Sequence, residues 1–204
     1  MDSQKPVTFK NKKVIVFDLD GTIVRLAADW HSLKKVLTDM YTHHYQENCT
    51  FKSMSACLRK IVERGDEEEL LNYFDIIRKY ELENITQNEP IDETIYFINN
   101  KEQFGVKKDI KFAIFSLNTR QTIIESLKRA KIIEKIDLII GREDVRKWKP
   151  EPEGLIKIKK FFNVNAKEMI FFGDLDKDIL TGLNAGIDVY YIDEIINLVK
   201  RKIS

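Results

Sequence analysis

A run of β-branched and apolar residues that stops at two aspartates constrains this chain more than any other feature. Residues 14–22 read VIVFDLDGT, so a segment long enough for one buried strand ends in Asp18, Asp20 and a glycine. Alternate residues of an extended chain point the same way, and Asp18 and Asp20 therefore face one spot just past the strand. Like charges held together need a cation or a proton between them. The motif thus predicts a metal site in which one carboxylate is free to act as a nucleophile.

Further short apolar segments have the length and composition of buried strands. The predicted strands are 13–18, 111–116, 137–140, 169–172 and 188–192, and helical patterns cover 122–130, 153–162 and 179–185. Short strands that alternate with helices are typical of an α/β fold with a Rossmann-like parallel sheet, covered on both faces. Right-handed crossovers place the carboxyl ends of such strands along one edge. Asp18, Ser116 and Asp174 are therefore predicted to lie together.

The stretch between residues 24 and 108 does not follow this alternation. From Ala27 to Asn84, apolar residues recur at helical spacing, in one group over 33–41 and in another over 70–80. Because this segment follows the first strand, we interpret it as an inserted helical domain. The predicted organisation is a core domain of residues 1–23 and 109–204 and an insertion of residues 24–108.

Four motifs, in order along the chain, resemble those of the haloacid dehalogenase-like (HAD) superfamily, whose members are mostly aspartate-nucleophile phosphatases. DLDGT at 18–22 is similar to the first motif, and the strand that ends in Ser116 is similar to the second. Lys149, followed by a proline, is similar to the third motif, and GDLDKD at 173–178 to the fourth. The resemblance extends from residue 14 to about residue 191. It implies that residues 24–108 form the α-helical cap that many such enzymes carry.

The resemblance also implies a role for each motif residue. Asp18 would be the nucleophile that forms an aspartyl-phosphate, and Asp20 would be the general acid and then the base. Ser116 would donate a hydrogen bond to a phosphate oxygen, and Lys149 would hold the phosphoryl group and the nucleophile. Mg²⁺ would be bound by Asp18, the backbone carbonyl of Asp20, and Asp174.

Three supporting positions remain open at this stage. Asp178 is expected to support the metal shell, either through water or through Lys149. Asp176 is an extra acid in the fourth motif that could substitute for Asp174 or for Asp178 in its role. The segment SLNTR at 116–120 departs from the commoner arrangement of the second motif, so the role of Asn118 is left open.

Other ionisable residues near the motifs are interpreted as surface groups, with substrate contact as the alternative for Arg25, just beyond the first motif, and for Arg120, after the second. Neighbouring residues of a helix point in different directions, which makes the adjacent histidines in the insertion a poor metal site. We therefore expect the following side chains to be exposed: Arg25, Arg120, Arg146, His43 and His44.

Composition gives no support for a nucleic-acid-binding or membrane protein. The chain has 34 basic and 33 acidic residues and a formal net charge of +1, which gives no argument for a nucleic-acid or anionic-membrane partner. No apolar stretch approaches the ~20 residues of a membrane span, and the polar residues 1–13 lack the apolar core of a signal peptide. Cys49 and Cys57 match no common zinc or redox spacing and are predicted to be reduced thiols. We expect a soluble, cytoplasmic protein.

The predicted function is Mg²⁺-dependent hydrolysis of a phosphomonoester. Members of the superfamily with a cap at this position act on small metabolites such as phosphoglycolate or sugar phosphates, and the expected partner is therefore a small phosphate ester. Two alternatives remain: a phosphomutase of the same superfamily, and a non-catalytic binding or regulatory protein on the same fold. The oligomeric state is not predicted.

Overall fold

The chain folds around one parallel sheet in a computed structural model that describes residues 6–203. The strands are β1 (Val14–Phe17), β2 (Val24–Arg25), β3 (Glu89–Pro90), β4 (Lys111–Phe115), β5 (Leu138–Ile140), β6 (Met169–Gly173) and β7 (Asp188–Tyr191). The helices are α1 (Trp30–Tyr45), α2 (Met54–Arg64), α3 (Glu67–Glu83), α4 (Asp92–Asn99), α5 (Arg120–Arg129), α6 (Glu153–Phe161), α7 (Asp176–Asn184) and α8 (Asp193–Ile203). Among the described residues, none of these helices is both long and apolar enough to span a lipid bilayer.

The main sheet has the order β5-β4-β1-β6-β7, and all its neighbouring strands are parallel. Strand β1 lies in the middle, with Val14 opposite both Lys111 of β4 and Met169 of β6. This arrangement confirms the predicted α/β class. Each predicted strand of the sheet is also confirmed to within one residue at either end.

The two faces of the sheet are covered by different helices, and alternate residues of the strands contribute to each face. Val14 and Val16 pack in the same cluster as residues of α6 and of the helical insertion. Ile15 and Phe17 pack with residues of α4, α5 and α8 on the opposite face. Because both faces are buried, the strands are continuously apolar instead of alternating between apolar and polar residues. This explains why they are recognisable in the sequence.

The helical insertion is bracketed by a small antiparallel ladder. Strand β2, where the chain leaves the core, pairs with β3, where it returns, with Val24 opposite Pro90. Between them, α1 buries Leu33, Leu37 and Tyr41, the residues at the predicted helical spacing. Helix α3 buries most of the second predicted group of apolar residues.

The later part of the predicted insertion packs on the core sheet. Helix α4 contributes Phe97 and Ile98 to the cluster that contains Ile15 and Phe17, and the ring of Phe97 lies 6.3 Å from that of Phe17. The predicted segment 24–108 therefore contains two parts, and its later part packs on the opposite face of the sheet from the earlier helices. We propose that the cap consists of residues 26–88 and that residues 92–108 belong to the core.

Cys49 and Cys57 form a disulfide, so the prediction of two reduced thiols is wrong. Their Cα atoms are 5.9 Å apart, and the bond closes the connection between α1 and α2. The chain turns back there at Phe51, which has a left-handed backbone (φ 49°) and a buried ring. This turn brings two cysteines eight residues apart into contact, although their spacing matches no motif.

Loss of the disulfide is expected to lower the free energy of unfolding by about 2–3 kcal/mol, because a closed loop of this length restricts the unfolded chain. Urea denaturation of the oxidised protein and of a Cys49→Ser/Cys57→Ser variant measures the difference. The reduced wild type serves as control and should match the variant. Equal midpoints for the oxidised protein and the variant would contradict the structural role of the bond.

Candidate active site

The carboxyl ends of the three central strands meet at one edge of the sheet. Asp18 directly follows β1, Ser116 follows β4, and Asp174 follows β6. Because these strands are parallel and neighbouring, the three residues line the same cavity, which has a volume of about 510 Å³. The sequence-based expectation that they lie together therefore agrees with the structure.

Three carboxylates lie close together at this edge of the sheet, and two of them pair with one buried ammonium group. Oxygen atoms of Asp18, Asp174 and Asp178 lie within 4.8 Å of one another. The Nζ of Lys149 is 2.7 Å from Asp178 Oδ1 and 3.1 Å from Asp18 Oδ1. When all three carboxylates are ionised, their negative charge exceeds the positive charge of Lys149 and of Lys177, which also lines the cavity and acts electrostatically on Asp18.

The Lys149 side chain is fixed by aromatic rings as well as by carboxylates. Its Nζ lies 4.9 Å from the ring centre of Phe115 on β4 and 5.1 Å from that of Phe171 on β6. Burial acts to lower the pKa of Lys149, but the neighbouring Asp18 and Asp178 outweigh it and raise the pKa above its usual value. The ammonium group therefore stays charged beside Asp18.

Asp174 carries an oxygen with no partner. Its Oδ1 is buried and accepts no hydrogen bond from any residue in the described range 6–203. Burial, together with the charges of Asp18 and Asp178, raises the pKa of Asp174 to about 7. Buried polar atoms are normally satisfied, and hard divalent cations prefer carboxylate oxygens. The donor set therefore fits a divalent cation, with Asp174 as a ligand.

The motif glycine after Asp20 lets the loop approach this cluster. Gly21 has a left-handed backbone (φ 75°), and a Cβ atom there would lie 2.2 Å from Asp174 Oδ2. No other residue type fits this position without moving the Asp174 carboxylate. The glycine is thus required by the contact between the β1 loop and the β6 loop.

Asp20 lines the same cavity as Asp18. One of its oxygens, Oδ1, accepts a hydrogen bond from the backbone N–H of Leu26 at 3.0 Å. Burial raises the pKa of Asp20 to about 6, although the Leu26 hydrogen bond opposes the shift. A carboxyl group with a pKa near neutrality can both donate and accept a proton, as the predicted role of Asp20 requires.

The loop after β4 is held by a glutamate from the cap helix α3. The Ser116 hydroxyl donates to Asn118 Oδ1 at 2.8 Å, and Asn118 Nδ2 donates to Glu81 Oε1 at 2.9 Å. The other Glu81 oxygen accepts from the backbone N–H of Thr119 at 2.9 Å and from its hydroxyl at 2.7 Å. Asn118, whose role was open, therefore connects Ser116 to the cap.

Asp178 and Asp176, the two acids of the fourth motif whose roles were left open, lie in different surroundings. Asp178 is buried and pairs with Lys149, and its Oδ2 also accepts from the backbone N–H of Leu175 at 3.1 Å. Asp176 is exposed, and its Oδ1 accepts from the hydroxyl of Tyr191 at 2.5 Å. The structure thus places Asp178, and not Asp176, in the carboxylate cluster.

Glu81 and Arg142 are among the residues of the site that sequence reasoning missed. Glu81 lies four residues after Ile77, on the buried face of α3, and a carboxylate on an apolar face is a signal that could have revealed it. Arg142 follows the end of β5 and lines the cavity. The residues expected to be exposed are so in the structure: Arg25, Arg120, Arg146, His43 and His44.

Comparison with known proteins identifies the family. The model of the haloacid dehalogenase-like hydrolase family matches residues 15–192. The chain belongs to this family. Pyrophosphatase PpaX from Bacillus cereus (strain Q1) is 28% identical to this HAD-like hydrolase over 177 residues, which are 84% of this chain and 79% of the relative.

Solved structures show the same fold. A haloacid dehalogenase-like hydrolase from Bacteroides fragilis matches with a TM-score of 0.63 and 21% identity, over 87% of this chain and 86% of that one. A predicted phosphoglycolate phosphatase from Haemophilus somnus matches with a TM-score of 0.59 and 17% identity, over 93% of this chain and 92% of that one. Together with the family match, these similarities confirm the predicted superfamily, fold class and enzyme type, a HAD-type phosphatase.

Replacement of Glu81 tests its role in holding the β4 loop. In Glu81→Gln, one of the two accepting carboxylate oxygens becomes an amide N–H₂ group, which cannot accept a hydrogen bond. A buried donor then loses its acceptor, and we expect the free energy of unfolding to fall by about 1–3 kcal/mol. Glu83→Gln, at an exposed position on the same helix, is the matched control and should change stability little. Equal urea midpoints for the two variants would show that the Glu81 contacts contribute nothing.

Proposed function

We propose that this HAD-like hydrolase is a Mg²⁺-dependent phosphomonoester hydrolase that acts on a small phosphorylated metabolite through an aspartyl-phosphate on Asp18. The supporting observation is that Asp18 lies in the cavity between Lys149, 3.1 Å away, and the carboxylate of Asp174. A nucleophilic carboxylate flanked by a fixed cation and a cation-binding acid suits attack on an anionic phosphoryl group.

The proposed Mg²⁺ ligands are Asp18, the backbone carbonyl of Asp20, and Asp174. The unpartnered Oδ1 of Asp174 and the excess negative charge of the cluster support this assignment. When bound, the ion would neutralise negative charge and allow an anionic nucleophile to approach a phosphate. Asp178 is already paired with Lys149 and supports the site without needing to bind the ion.

The proposed reaction has two halves that use the same two aspartates. First, a carboxylate oxygen of Asp18 bonds to phosphorus, the ester P–O bond breaks, and Asp20 gives its proton to the leaving oxygen. Then Asp20 takes a proton from water, the water oxygen bonds to phosphorus, and the acyl-phosphate bond breaks. Inorganic phosphate leaves, and Asp18 is restored as a carboxylate.

Other residues of the cavity bind the phosphoryl group in this proposal. Lys149 carries a fixed charge beside the nucleophile and offers it to a phosphoryl oxygen. Ser116, at the end of the next strand, would turn its hydroxyl from Asn118 Oδ1, to which it donates in the structure, toward a phosphoryl oxygen. Because Asn118 holds Ser116 and is itself held by Glu81, the position of the hydroxyl depends on the docked cap.

The cap is proposed to select the substrate. It contributes Trp30 and Lys34 of α1, and residues 52–55 at the start of α2, to the cavity wall. A relative named as a pyrophosphatase supports inorganic pyrophosphate as one candidate among small phosphates. A panel of phosphate esters and pyrophosphate, assayed for phosphate release with Mg²⁺, tests this range.

Removal of the nucleophile should abolish turnover. Asp18→Asn nearly preserves shape but cannot form the acyl-phosphate, and kcat is expected to fall at least about 10³-fold. Asp176→Asn, which alters an exposed acid of the fourth motif outside the cluster, is the matched control and should retain activity. Circular dichroism checks the fold of both variants. Near-normal turnover by a folded Asp18→Asn protein would rule out the proposed covalent step.

Metal binding should depend on Asp174. Isothermal titration calorimetry with Mg²⁺ is expected to show binding to the wild type and to Asp176→Asn, and affinity at least about tenfold weaker for Asp174→Asn. EDTA should stop phosphate release, and added Mg²⁺ should restore it. Undiminished Mg²⁺ affinity in Asp174→Asn would place the ion elsewhere.

A further inference from the structure

Arg142 places a buried guanidinium group at the active-site cavity. The residue is 3% exposed, yet its Nε and Nη1 find no hydrogen-bond acceptor within the part of the chain that the structure describes. Its backbone, in contrast, is held on both sides. The N–H donates to the carbonyl of Asn118 at 2.9 Å, and the carbonyl accepts from Trp148 Nε1 at 2.9 Å. The fold therefore fixes the backbone of Arg142 and leaves its Nε–H and Nη1–H donors without an acceptor.

Glu81 and Glu143, the two acids whose charges act on Arg142, already accept hydrogen bonds from other residues. Glu81 interacts electrostatically with Arg142, but both of its carboxylate oxygens accept hydrogen bonds from Asn118 and Thr119. A buried cation with unused donors is costly unless it meets an acceptor. A guanidinium fork matches the planar geometry of a carboxylate and binds phosphate oxygens in the same bidentate manner.

Arg142 lies on the opposite side of the cavity from the proposed metal ligand Asp174. It follows β5 by two residues, whereas Asp174 follows β6, and β4 and β1 separate these strands in the sheet. Lys34 and Lys52 of the cap also line this cavity. When the reacting phosphoryl group of a substrate lies at Asp18, the rest of the substrate therefore faces a cationic part of the cavity wall.

We propose that Arg142 binds a second anionic group of the substrate, separate from the phosphoryl group that is transferred. This inference rests on the proposed function and narrows its substrate class to small phosphates with a second oxyanion. That oxyanion is either a carboxylate, as in a phosphorylated hydroxy acid, or a second phosphate, as in pyrophosphate. Arg142 is then a specificity-determining residue of the site.

Matched substrates test the inference. Phosphoglycolate and inorganic pyrophosphate carry a second anionic group, whereas 2-hydroxyethyl phosphate replaces the carboxylate of phosphoglycolate with a neutral alcohol. The wild type is expected to prefer one of the two anionic substrates over 2-hydroxyethyl phosphate by at least tenfold in kcat/KM. The preferred one identifies the second group as a carboxylate or a phosphate.

Two variants of Arg142 and one control then assign the preference to this residue. Arg142→Gln should reduce the preference at least tenfold, mainly by raising KM for the anionic substrate, and Arg142→Lys should retain part of it. Arg146→Gln, an exposed arginine in the same loop, is expected to leave the ratio unchanged.

Each contrary result overturns a defined claim. An equal loss on all three substrates, or no loss, would make Arg142 only a counter-charge for Glu81 and overturn the inference. A wild type without preference for either anionic substrate overturns it even if Arg142→Gln does not fold. If the wild type releases no phosphate from any of the three but does so from other esters of the panel, the inference fails and the proposed function stands, whereas no release from the whole panel overturns both. Release from 2-hydroxyethyl phosphate without a preference leaves the proposed function standing.

Discussion

The charge balance at the carboxyl edge of the sheet is the constraint on which the site depends. Three carboxylates lie close together there, and two of them pair with the buried ammonium group of Lys149. One carboxylate oxygen of the third, Asp174, lacks any donor among the described residues. Bringing these carboxylates together in a buried site costs free energy, because like charges repel and lose their contacts with water. In the proposed function, a bound divalent cation would offset this cost and would also prepare the site for an anionic substrate. Stability and chemistry would then depend on the same ion.

The cap is part of the site and does more than cover it. Glu81 from α3 holds the loop that carries Ser116 and Asn118. At the surface, Arg146 of the core pairs with Glu67 at the start of α3 at 3.0 Å, but exposed ion pairs contribute little. The buried contact is therefore the stronger connection between cap and core. Any movement of the cap that breaks it would also release the loop that carries Ser116.

The fold and much of the site could be predicted because local patterns specify them. Strands buried on both faces are continuously apolar, and a parallel sheet brings their carboxyl ends together. The convergence of Asp18, Ser116 and Asp174 follows from that topology alone. Lys149, in contrast, was placed by resemblance, because a lysine in a loop carries no local signal of burial.

The remaining features depend on contacts between distant parts of the chain. Glu81 was missed because its partners Asn118 and Thr119 lie more than thirty residues further along the chain. The disulfide escaped prediction because a turn in the cap loop, and no motif, joins its cysteines. The proposed assignment of α4 to the core likewise rests on the surface that its apolar face covers, which the sequence alone does not reveal. Each of these outcomes is decided by tertiary packing.

Chemical trapping of the intermediate tests the central claim most directly. Borohydride reduces an aspartyl-phosphate to homoserine, and peptide mass spectrometry locates the modified residue. When the enzyme is quenched during turnover with Mg²⁺ and a substrate that it hydrolyses, the account predicts homoserine at position 18, and none at positions 20 or 174. Phosphate release with position 18 unmodified, or with the label on another carboxylate, would contradict it.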